Sequence, residues 1–156
     1  MSENIAINGK ATKTKSAFRM EYKVGINIKT KAERVWAIMT NAADFPRWNS
    51  TIKSMEGKIA PGQTIKLVAA ISPTRTFNLK VTEFEPVKRM VWSDGNAMFK
   101  GVRTYTVSPK ADGSTDFTMA EVYTGLMMPM IAGSLPDFTA TFEQYVSDLK
   151  REATKK

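Results

Sequence analysis

Residues 18–52 change hydrophobic period once, abruptly, and that change constrains the fold more than any other stretch. Phe18, Met20, Tyr22, Val24, Ile26 and Ile28 place an apolar side chain at every second position, with Arg19, Glu21, Lys23, Gly25 and Asn27 between them. A period of two describes a long strand with one buried face. Ala32, Val35, Trp36 and Met39 then fall at i, i+3, i+4 and i+7, one stripe of a short helix. Thr30, with Glu33 three residues on, predicts a capping box at its start. Asp44 to Asn49, marked by Pro46 and Trp48, reads as a second, shorter helical turn.

The chain then becomes a meander. Short strands are predicted at 51–57, 63–71, 76–84, 88–93, 98–108 and 115–124, separated by Pro61-Gly62, Ser72-Pro73, Glu85-Pro86, Asp94-Gly95-Asn96 and the 109–113 turn. A helical period returns at Phe138, Phe142, Tyr145, Val146 and Leu149. Ser134 is placed to cap that helix, with Pro136 in its first turn and Asp137 at the third position. The order defines an α+β class: a curved antiparallel sheet of about seven strands, two short helices after the first strand, and one long C-terminal helix. Nothing else in the chain can cover the sheet's inner face, so the sheet must close around that last helix. Residues 1–16, Lys- and Thr-rich without period, are expected to be a flexible basic tail, 17–152 the domain, and 153–156 a second tail.

Composition removes whole classes of chemistry. The 156 residues suit one domain and include no Cys and no His. Disulfides, thiolate nucleophiles, His-assisted nucleophiles and His-type metal sites are therefore excluded. No Asp/Glu loop resembles an oxygen cage, so neither metal nor cofactor is expected. The net charge of +8 is concentrated at the ends: residues 1–24 hold +3 and residues 148–156 hold +2. That placement describes solvated ends rather than a nucleic-acid face. No apolar run nears the ~20 residues that span a bilayer. With no secretory segment and no Cys, the expected location is the cytoplasm. The stretch Gly57 to Thr64 nearly spells a phosphate-binding loop, but Gln63 stands where that motif needs Lys and a strand follows instead of a helix.

Three groups of residues, taken in order, resemble the START-like, helix-grip superfamily, which includes the polyketide cyclase/dehydrase and lipid-transport family. The first is Ile26-Asn27-Ile28 leading to Glu33-Arg34-Val35-Trp36, then Phe45-Pro46-Arg47-Trp48-Asn49. The second is Val81 to Pro86 with Met90-Val91-Trp92, and the third is the Gly101–Val107 strand with Ala120 to Gly125. The resemblance covers roughly 18–152. It implies a cavity between sheet and C-terminal helix that holds apolar small molecules, without implying one activity. Relatives often carry His where Arg103 stands, so no His-dependent step transfers.

Hairpin arithmetic assigns the faces independently. A turn around Asp112 sets Val107 opposite Phe117, Tyr105 opposite Met119 and Arg103 opposite Glu121. A turn at 93–98 sets Trp92 opposite Phe99 and Met90 opposite Gly101, and a turn at 85–88 sets Val81 opposite Trp92. Opposed residues share a face, so Phe77, Leu79, Val81, Trp92, Phe99 and Tyr105 join Met119 and Tyr123 on the inner one. Phe84 is out of phase, which predicts a bulge near residue 83. Trp48, Met130, Phe138 and Phe142 complete the candidate ligand-binding set. Trp48 fits either a pocket rim or the core, and the Met127, Met128, Met130 cluster fits either gap-filling or adaptable ligand contact.

Arg103 and Glu121 are the polar members of this inner face. Two readings fit: a self-satisfying structural pair, or an anchor for a ligand oxygen. Arg103, Glu121 and Tyr105 are the catalytic candidates if the protein is an enzyme. The leading expectation is a carrier or sensor for a small apolar molecule. The alternatives are a cyclase/dehydratase-type enzyme and a module that binds a protein partner, like a co-chaperone.

Overall fold

The computed structural model describes residues 5–155. Strand β1 (Thr12–Ser16) turns into β2 (Arg19–Ile28), followed by helix α1 (Ala32–Met39), a 3-10 turn at Ala42–Asp44 and α2 (Phe45–Trp48). Strands β3 (Ile52–Glu56), β4 (Thr64–Ala69), β5 (Phe77–Glu85), β6 (Arg89–Gly95), β7 (Lys100–Pro109) and β8 (Thr115–Thr124) form the meander. Helix α3 (Met128–Ile131), a 3-10 turn at Ala132–Ser134 and α4 (Thr139–Ala153) complete the chain. All eight strands form one antiparallel sheet in the order β1-β2-β8-β7-β6-β5-β4-β3.

The eighth strand is a correction. The sequence places Thr12–Ser16 in a flexible tail, yet it pairs with Arg19–Lys23. All five of its side chains are exposed, so it buries nothing and leaves no hydrophobic period. The backbone ladder holds it, with Lys13 over the Tyr22 ring (5.5 Å) beside it. Residues 1–4 of the expected tail lie outside the described residues. At the other end, Ala153 closes α4 and is buried, while Lys155 bonds Glu152 (3.1 Å) and so is tied to the body.

Both predicted caps move. Lys31, in an extended conformation, occupies the cap position of α1 and makes no side-chain bond there. The Thr30 carbonyl instead accepts the Thr115 hydroxyl (2.8 Å), which ties α1 to the start of β8. Ser134 bonds the Ile131 carbonyl and ends the preceding turn. The long helix starts later, at Thr139, where Asp137 accepts both the backbone N–H and the hydroxyl of that residue.

Helix α4 lies in the concavity of the sheet. Its stripe of Phe142, Tyr145, Val146 and Leu149 is buried. Tyr145 stacks on Phe117 (5.9 Å between ring centres) and meets Trp48 edge-on (5.9 Å). Asp148, on the same helix and 1 % exposed, accepts the backbone N–H and hydroxyl of Ser50 and the amide of Gln144. A buried carboxylate with that many donors fixes the turn between α2 and β3 against the helix. Arg34 on α1 donates to the Ala153 carbonyl (2.7 Å), closing the C-terminal end of α4.

The β7–β8 register is as the turn arithmetic predicts, with Arg103 opposite Glu121 and Val107 opposite Phe117. The β5–β6 pair sets Val81 opposite Trp92, and a register shift between Val81 and Glu83 brings Phe84 opposite Met90. That bulge returns Phe84 to the inner side, where it meets Trp36 (5.4 Å). The β6–β7 register differs from expectation. Trp92 faces Arg103, not Phe99, and Met90 faces Tyr105, not Gly101. Asp94 and Gly95 extend β6, so the turn is tighter than the sequence indicated. The slip is an even number of residues, so every side chain keeps its face.

Candidate functional site

Between the sheet and α4 the protein leaves a cavity of about 230 Å³. Its wall is built mainly by alternate residues of successive strands. On β5 these are Phe77 and Leu79, on β6 Trp92 and Asp94. On β7 and β8 they are Gly101, Arg103, Glu121 and Tyr123. Phe138 and Thr141 close it from the α4 side. Ile71, Arg75 and Gly95 are its exposed lining residues and mark the mouth.

The space exists partly because of Gly101. Gly101 pairs with Tyr123, and a Cβ placed on it would come within 3.3 Å of the Tyr123 ring and 3.7 Å of Glu121 Oε1. With no side chain there, Tyr123 lies between Phe99 (5.8 Å) and Phe138 (6.0 Å) as the middle of three stacked rings. The wall therefore presents flat π faces.

One ion pair sits within this mostly apolar wall. Arg103 Nε donates to Glu121 Oε2 across the β7–β8 ladder. The two side chains are 21 % and 12 % exposed, and both border the cavity. The Arg103 guanidinium also sits 5.1 Å from the centre of the Phe142 ring on α4. Burial is the largest single influence and opposes the Arg103 charge, but the Glu121 carboxylate together with the Tyr105 and Tyr123 hydroxyls outweighs it and holds the guanidinium well above its ordinary range. Burial likewise raises the Tyr105 hydroxyl, and burial together with the Glu121 charge raises Tyr123 well above its ordinary value of 10.0. Both tyrosines are therefore protonated at neutral pH. The cavity offers hydroxyl and guanidinium donors, and a carboxylate whose partner is already in place.

Of the predicted ligand-binding residues, Phe77, Leu79, Trp92, Phe99, Arg103, Glu121, Tyr123 and Phe138 line the cavity. Six do not. Trp48 is core, packed on Phe45 (5.2 Å) and Tyr145. Val81, Met119 and Phe142 are sealed in the interior. Tyr105, a catalytic candidate, is 1 % exposed and enclosed by the rings of Trp92, Phe117 and Tyr145. Met130 is 79 % exposed on the outside, because the one turn of α3 buries Met128 instead.

Besides Ile52, Gly95 and Gly101, the lining residues absent from the prediction fall into two groups. Leu67, Ala69 and Ile71 continue the period-two face of β4, a signal present in the sequence. Thr51, Arg75, Asp94 and Thr141 are polar residues at turns and ends, with no pattern to single them out. Among the described residues, no group of three or more acidic side chains could hold a metal ion. No described helix is long and apolar enough to cross a membrane.

The sequence profile of the family described as polyketide cyclase / dehydrase and lipid transport matches residues 18–153. The chain belongs to that family. This polyketide cyclase / dehydrase and lipid transport domain has the helix-grip fold of the START-like superfamily, and solved structures share its architecture. Truncated norcoclaurine synthase from Thalictrum flavum superposes with a TM-score of 0.68 at 9 % identity, covering 92 % of this chain and 99 % of its own. The Zhui aromatase/cyclase from Streptomyces sp. R1128 gives 0.68 at 8 % identity, covering 86 % and 93 %. A START superfamily protein from Mycobacterium smegmatis gives 0.62 at 17 % identity, covering 85 % and 96 %. No curated protein matches the sequence. At these identities the likeness to the solved structures shows the fold alone.

Proposed function

We propose that this protein binds one small, largely apolar molecule in the cavity, as a carrier or sensor, with the Arg103–Glu121 pair engaging an oxygen on that molecule. The cavity carries the reading: a space of about 230 Å³ walled mostly by aromatic and aliphatic side chains, with its charges confined to a few positions. Apolar concavities with a few fixed polar groups are the usual form of small-molecule sites, at roughly 300–1,000 Å³. This one falls below that range, which favours a ligand of one or two rings or a short acyl chain over a sterol.

Binding fits the wall better than proton transfer does. Tyr105 is sealed away and stays protonated, and the Glu121 carboxylate is engaged by Arg103. Thermal-shift and native mass-spectrometric screening against bicyclic phenols, medium-chain fatty acids and sterols tests the reading. Saturation at 100 times Kd raises stability by about 2.7 kcal/mol. Bicyclic phenols or fatty acids should stabilise the protein and sterols should not. A screen in which none of them binds removes the proposal. Turnover of an aromatic polyketide that disappears in Arg103→Met would replace binding with catalysis of the cyclase/dehydratase type.

A further inference from the structure

One end of the sheet presents apolar side chains to solvent. Phe18 is 55 % exposed, Met98 46 %, Leu126 66 % and Met130 79 %. The backbone brings them together. The Phe18 carbonyl accepts the Gly125 N–H, the Ala97 carbonyl accepts that of Leu126, and the Met98 carbonyl accepts that of Met127. Gly125 makes this junction possible at φ +144°, where a Cβ would lie 2.3 Å from the Met98 oxygen. The tips of the β1–β2, β6–β7 and β8–α3 connections thus form one apolar cap, with Met130 in the next turn.

A basic collar lies directly behind it. Arg19 pairs with Thr124, Thr124 with Lys100, and Lys100 with Gly95, so one cross-section of the sheet carries both cations. Lys15, opposite Met20, adds a third at the β1 edge. All three are exposed, and among the described residues only Arg19 of the three shares its charge, with Glu21 (3.2 Å). The same end of β6, β7 and β8 supplies the cavity residues Asp94, Gly95, Gly101 and Tyr123, so cap and cavity share one end of the fold.

We propose that this cap seats on an anionic lipid bilayer, with Phe18, Leu126, Met98 and Met130 entering the headgroup boundary and Lys15, Arg19 and Lys100 meeting lipid phosphates. Apolar tips ahead of a basic rim match the layering of an anionic bilayer, apolar inside and negative at its surface. A second copy of the chain fits worse, because a two-fold contact through this cap would bring basic collars of the same sign together. The proposal is independent of the cavity ligand.

Flotation of the full chain with vesicles tests it. Phosphatidylcholine vesicles with and without phosphatidylglycerol are compared at low and high salt, for the parent chain, Leu126→Glu/Met130→Glu and Lys15→Gln/Lys100→Gln. All four substituted side chains are exposed, so the melting temperature should stay unchanged. The parent should float with phosphatidylglycerol vesicles and detach in high salt. The glutamate variant should not float, and the glutamine variant should bind about thirtyfold more weakly. No flotation of the parent, or flotation undiminished in the glutamate variant, overturns the proposal. So does a dimer that the glutamate variant dissolves while vesicles bind nothing, an outcome that assigns the cap to a second copy.

Discussion

Arg103 on β7 and Glu121 on β8 stand directly opposite each other and close an ion pair against the cavity, beneath Phe142 of α4. Removing one partner strands the other in a poorly solvated place. A fully buried pair costs ~3–5 kcal/mol to break. This one borders a cavity, so Glu121→Gln and Arg103→Met are each expected to cost about 2 kcal/mol by urea denaturation. The double variant Arg103→Met/Glu121→Leu should recover most of that loss, because both charges leave together.

Ala69→Phe should fill the cavity. Ala69 lines it from the end of β4, opposite Ile52. A ring placed there enters existing space, so stability should hold or rise by up to about 1 kcal/mol. The thermal shift produced by any cavity ligand should vanish. Retention of that shift would place the ligand elsewhere.

Phe142 and Met130 should behave oppositely. Phe142 is 1 % exposed, packed on Tyr22 (5.5 Å) and against the Arg103 guanidinium. Phe142→Ala is expected to lose ~3–5 kcal/mol. Met130→Ala should stay within about 0.5 kcal/mol, since its side chain covers nothing. Melting curves of the two variants compare them directly.

A salt-bridge chain on the α2–α4 side contributes to the acid sensitivity, alongside Asp112 and Asp137, which bonds from Ser114 and Thr139 hold below their ordinary value. Arg47 bonds Asp44 (2.8 Å) and Glu152, and Lys155 reaches Glu152 (3.1 Å). The bond from Arg47 is the main cause that holds Glu152 below its ordinary 4.5, and Asp44 below 3.8. Both carboxyls release their protons more readily in the folded chain, so they stabilise it above their unfolded values. That contribution is lost as pH falls through the folded values. The urea midpoint should therefore drop between about pH 5 and pH 3, and drop less in Glu152→Gln.

Much of this is legible in the sequence, for identifiable reasons. The β7–β8 hairpin has a polar turn at Asp112 to Ser114 and clean alternation on both sides, which pins Arg103 against Glu121. The β6–β7 register slipped because Asp94 and Gly95 resemble turn residues, while the ladder runs through them. β1 is invisible because five exposed side chains leave no alternation in the sequence. Within the site, alternation assigns a face but not a depth. Val81, Tyr105 and Met119 share the inner face with Arg103, yet lie sealed under neighbouring rings and helix. Whether an inward side chain meets protein or open space depends on how far α4 sits from each strand, and no local period encodes that distance.

The pairing of β2 with β8 has a consequence for how the chain assembles. Residues 19–28 must find residues 115–124, so the whole meander between them has to be synthesised before the β1–β2 edge can join the sheet. Hairpins β5–β6 and β7–β8 can close early from neighbouring sequence, while β2 waits with Tyr22 and Val24 uncovered. Contacts across such separations slow folding. During that wait the early strand is the part of the nascent chain most prone to pair with a neighbour.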